Sequence, residues 1–112
     1  MPKLTLNFEM LLPTAVTKEV EFPFYTYSKK DKIYVMYYYD DSLTYAPFVK
    51  LEICEFSDGT LRLYRFTNSQ KELERFLADV ERDYQSTSKY EFSEQIKKYI
   101  DQIVELYTFV TI

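Results

Sequence analysis

Apolar and polar positions alternate with period two through the first two thirds of the chain. With period near 3.6 they recur through the last third. Leu4, Leu6, Phe8 and Met10 alternate with Lys3, Thr5, Asn7 and Glu9, which predicts a first strand ended by Pro13. A second strand carries Val20, Phe22 and Phe24 on one side and Glu19, Glu21 and Tyr25 on the other. Pro23 lacks a backbone donor and marks an edge or an irregularity there. The polar turn Ser28–Lys32 leads into Ile33–Tyr39, a run of aromatic and β-branched residues suited to a pleated sheet.

An even-length loop at that turn pairs Phe24 with Tyr37 and Tyr25 with Met36. One face then collects Phe22, Phe24, Val35, Tyr37 and Tyr39, and the other collects Tyr25, Tyr27, Tyr34, Met36 and Tyr38. After the loop Asp40–Pro47, a fourth strand is expected to turn Val49, Leu51 and Ile53 inward and Lys50, Glu52 and Cys54 outward. Asp58-Gly59 signals a hairpin. A three-residue turn with Gly59 left-handed sets Ile53 opposite Leu63 and keeps Leu61 and Leu63 on the face of Leu51 and Ile53. A slip by one residue would turn that set outward.

Beyond Phe66 the period lengthens. Ser69 and Glu72 have the spacing of a capping box, and Leu73, Phe76, Leu77, Val80 and Tyr84 fall on one helical face. Ser88 and Glu91 open a second helix, whose stripe is Phe92, Ile96, Ile100, Ile103, Val104 and Tyr107. The β-branched tail Thr108–Ile112 leaves room for a short last strand. The fold class read from this pattern is α+β. It has one domain over residues 1–112, an antiparallel sheet of about five strands, and two C-terminal helices packed on one sheet face.

Composition narrows the chemistry. The chain has 112 residues, no His, one Cys and one Gly. A Ser-His-Asp or Cys-His arrangement and a His-containing zinc site therefore cannot be built within it. A P-loop and a dinucleotide fingerprint each need several glycines. No enzyme, cofactor or metal is expected. Asp40 and Asp41 read as solvated turn formers, and Cys54 as a small packing residue without an activating base. The lone Cys and the absence of a leader-like apolar segment point to a soluble, cytoplasmic protein without a membrane span. Abundant Phe, Tyr and Lys resemble the usage of AT-rich bacterial or phage genomes.

The 12 tyrosines are the strongest functional signal. If both helices roof one sheet face, Tyr25, Tyr27, Tyr34 and Tyr38 form an open aromatic band, with Tyr45 in the adjoining loop. Tyr offers contact area, a polar handle and few rotatable bonds. Glu74 and Glu81 stand for an acidic outer helix face that would steer a basic partner. With a net charge of -4, this reading favours a non-enzymatic binding protein. It would be of the inhibitor or immunity type, phage anti-defence proteins included, covering a basic protein such as a nuclease or toxin. The first alternative is single-stranded nucleic-acid binding, with bases stacked on the Tyr face and phosphates held by Lys29, Lys30 and Lys32; the negative balance argues against it. The second is a homodimer joined at the Tyr face or a sheet edge, or a small-molecule-binding domain.

Overall fold

Pro23 divides the second apolar run into two strands, and the Phe22–Pro23 peptide is cis in the computed structural model. The structure describes residues 3–7, 17–80 and 84–112. Two strands, β1 (Lys3–Asn7) and β2 (Thr17–Glu21), form an antiparallel pair. The remaining strands are β3 (Phe24–Ser28), β4 (Ile33–Tyr39), β5 (Phe48–Glu55), β6 (Leu61–Asn68) and the two-residue β7 (Gln85–Ser86). They make one antiparallel sheet in the order β6-β5-β4-β3-β7. The helical elements are α1 (Gln70–Arg75), a π-helical turn over Phe76–Val80 that continues it, and α2 (Lys89–Thr111).

Local chemistry sets these elements. The β3–β4 register pairs Phe24 with Tyr37 and Tyr25 with Met36, as the loop parity requires. At the β5–β6 turn Gly59 is left-handed (φ 86°), and Ile53 faces Leu63. Ser69 caps α1 reciprocally with Glu72: the Ser69 hydroxyl accepts from the Glu72 N–H, and the Glu72 carboxylate accepts from the Ser69 N–H. These bonds hold the Glu72 carboxyl below its ordinary range. Ser88 accepts from the Glu91 N–H at the start of α2.

The α+β class and the count of five antiparallel strands agree with the pattern in the sequence, but β1 pairs with β2 apart from that sheet, β7 takes its place there, and the helices divide between the two faces. On one face Leu73 of α1 packs with Phe22, Val35, Tyr37 and Phe48, joined by Leu77 and Tyr84. On the other, Phe92 of α2 packs with Ile53 and Leu61, joined by Tyr25, Tyr34, Met36, Leu51, Ile96 and Tyr99. The register gives the reason. Val35 pairs with Glu52, whereas Met36 pairs with Leu51, so Val49, Leu51 and Ile53 lie on the face of Tyr25 and Tyr34 and not with Val35. Both faces are apolar, and each needs its own cover.

Lys50 follows from the same register. It was expected outward, yet it points beneath Phe76 of the π-helical turn and is 3% exposed. Its ammonium lies 3.0 Å from the Glu52 carboxylate and 3.0 Å from the Phe76 ring centroid. Burial pulls the Lys50 ammonium below its ordinary pKa, against the opposing pull of Glu52. The tail differs as well: residues 108–111 continue α2 and form no strand. Thr108 and Thr111 donate their hydroxyls to the carbonyls of Val104 and Tyr107, both at 2.9 Å, so the turn is completed locally.

Candidate docking surface

The expected tyrosine band lies largely beneath α2. Tyr25 packs its ring on Phe92 at 5.6 Å, half-buried. Tyr27 and Tyr34 stack on each other at 5.3 Å with an interplanar angle of 18°. They wall a cleft of about 310 Å³ between α2 and the β3–β4 turn, rimmed by Lys29, Lys32 and Lys98. Burial, followed by the charges of Glu91, Tyr27 and Glu55, pushes the Tyr34 phenol above its ordinary pKa. The Lys32 ammonium lies 3.8 Å from the Glu55 carboxylate, which partly balances the cations of that rim.

The other candidates are dispersed. Tyr38 is half-buried on the same face, paired with Val49 toward the opposite end of β4. Tyr45 stands alone in the β4–β5 loop, 91% exposed. Glu74 lies on α1, across the sheet, where its carboxylate accepts from Gln70 Nε2 at 3.3 Å. Glu81 falls outside the described residues. The structure therefore brings together Tyr27 and Tyr34, sets Tyr25 beside them as packing, and leaves Tyr38, Tyr45 and Glu74 apart. The premise of an open Tyr face is corrected by the side on which α2 packs.

Among the described residues, exposed apolar side chains gather elsewhere, at the C-terminal half of α2. A helix of 23 residues runs about 35 Å, longer than a strand of eight. Its first half crosses the sheet, with Phe92 4% exposed. Gln102 marks where it leaves: the side-chain oxygen accepts from the Leu61 N–H at 2.9 Å, and the side-chain amide donates to the Gly59 carbonyl at 3.0 Å. Eight apolar side chains, from Ile100 to Ile112, are 47–97% exposed. Glu105 is the one charged residue among positions 103–112. A groove of about 600 Å³ runs between Leu106 and Phe109 of this segment and the Asp58–Leu61 turn.

The sequence pattern carries this stripe only as far as Tyr107 and expects it to lie on the sheet. The missed signal was length, because the stripe outlasts the sheet that could bury it. Among the described residues, no group of three or more Cys, Asp or Glu side chains gathers as a metal site. No described helix is long and apolar enough to cross a membrane. Comparison with family models, with curated proteins and with solved structures gives no match for this chain.

Proposed function

We propose that the chain is a non-enzymatic protein-binding protein of the inhibitor or immunity type, which acts by covering its partner. The observation that carries this reading is the uncovered apolar end of α2. Contiguous apolar surface of that extent marks an interaction site. An amphipathic helix laid into a partner's groove is a recurrent way to use one. Tyr107 supplies the aromatic anchor, 69% exposed. The net charge of -4 favours a basic partner. Tyr45 is the remaining sequence-derived anchor that is open to contact.

The test compares capture by the immobilised wild-type chain with capture by a Tyr107→Ser/Val110→Ser variant. The expected result is one or more proteins retained by the wild type, lost by the variant, and inhibited when the chain is added to them. Equal retention by both chains would count against the α2 surface.

A second reading draws on the Tyr27–Tyr34 cleft. Its stacked phenols and three lysines suit a small anionic ligand or a single-stranded nucleic-acid end. Filter binding of a single-stranded oligonucleotide over a salt series tests it. Affinity that falls with salt and is lost in Lys29→Ala/Lys32→Ala supports this reading.

A further inference from the structure

We propose that, in the free protein, a second copy of this chain covers the apolar end of α2. The inference rests on reading that end as a protein-docking surface, and it names the occupant. Area is the first argument. At the ~150–250 Å² of an aromatic side chain, and somewhat less for an aliphatic one, the six exposed residues on one side of the helix, Ile100, Ile103, Val104, Leu106, Tyr107 and Val110, present about 600 Å². The largest apolar patch on a typical monomer is about 300–600 Å², whereas a stable interface takes about 800 Å² from each partner. The helix end therefore carries as much as the largest patch a solitary domain usually shows and most of one side of a dimer.

Spacing is the second argument. Ile96, Ile100, Ile103, Tyr107 and Val110 follow one another at intervals of four, three, four and three. That is the interval of a helix–helix seam. Ile96 is engaged with the sheet, and the seam from Ile100 onward runs past its edge. Val104 and Leu106 widen the stripe on either side. In an isologous pair the same residues meet their own counterparts, so one self-complementary stripe is enough.

Polarity is the third argument. Each chain carries a net charge of -4, but positions 103–112 contribute a single charge, so two copies meet where their repulsion is least. The Thr108 and Thr111 hydroxyls are bonded to their own helix, which leaves their methyl groups for packing. A lipid surface would want cations on the polar side of such a helix; positions 103–112 have none.

The experiment is light scattering or sedimentation equilibrium on the full chain, from about 1 to about 200 µM. Circular dichroism verifies the fold of each variant. The wild type should move from 13.6 kDa toward twice that mass. Ile103→Glu/Tyr107→Glu should weaken the association about 100-fold or more, while Tyr107→Phe keeps it. A wild type that stays monomeric throughout overturns the proposal, as does a double variant that associates as strongly as the wild type. A monomer that floats with phosphatidylcholine–phosphatidylglycerol vesicles also overturns it, in favour of a lipid surface. A monomeric wild type whose captured protein is still lost with Tyr107→Ser/Val110→Ser would sink only the self-association. The docking surface would then stand.

Discussion

The two halves of α2 carry one continuous apolar stripe and meet opposite fates. From Phe92 to Tyr99 the stripe lies on Ile53, Leu61, Tyr25 and Met36. From Ile100 to Ile112 the apolar side chains stand in solvent. The seam of Ile96, Ile100, Ile103, Tyr107 and Val110 keeps its spacing across both halves. The difference is made by the sheet, which ends at the β5–β6 turn where Gln102 makes its two bonds. Amphipathicity therefore says that a helix has a face to bury, and tertiary reach decides whether the same chain buries it.

The largest effect expected from breaking this contrast comes from the covered half. Phe92→Ala removes a ring that touches Tyr25 and closes the cluster with Ile53 and Leu61. The expected cost is about 3–5 kcal/mol, read from the denaturant midpoint of dilute protein. A loss below about 1 kcal/mol would mean that α2 is not seated on this face. The boundary comes next. Gln102→Ala deletes both bonds to the turn and leaves the Leu61 N–H partly buried without its acceptor, for an expected cost of about 1–2 kcal/mol. Hydrogen exchange at Leu61 should quicken in the same variant. Unchanged exchange would place the end of the covered half elsewhere.

Much of the architecture could be read from sequence because hairpin chemistry is local. The β3–β4 loop parity and the left-handed Gly59 fix two registers within a few residues, and both capping serines stand where their spacing put them. The face on which each helix lies could not be read that way. It depends on parity across the loop from Asp40 to Pro47, which no turn motif constrains, and that loop sends Leu51 to the face of Met36. Once β5 turned its aliphatic row to the tyrosine face, that face needed a helix, and the expected open band became the floor under α2. Tyr27 and Tyr34 kept part of their surface because they lie beside the β3–β4 turn, where a cleft remains. The projecting end was legible only by comparing the length of the stripe with the length of the strands.

Capping sharpens the contrast at lower cost. Ser88 accepts from the Glu91 N–H, and its replacement by Ala frays the start of the covered half. The expected loss is about 1 kcal/mol. It should appear as faster exchange in the first turn of α2, while exchange beyond Gln102 stays as it was. Equal fraying at both ends would show that the helix holds as one unit, independent of the sheet.

The smallest effect on the isolated fold belongs to the uncovered half, and it discriminates most. Tyr107 is 69% exposed and stands beyond the sheet, so Tyr107→Ser should change stability by less than about 0.5 kcal/mol in dilute solution. A folded monomer has little to lose there. Association adds a dependence on concentration, because a complex that forms only from folded chains raises the melting temperature as protein is added. The wild-type midpoint should therefore climb between about 1 and about 200 µM, and the Tyr107→Ser midpoint should climb less, the two curves meeting at the dilute end. A variant that is destabilised even at the dilute end would show that Tyr107 is held by its own chain, and the contrast between the halves of α2 would vanish. If the curves diverge only as concentration rises, the apolar stripe is covered twice: by the sheet over its first half, and by another molecule over its second.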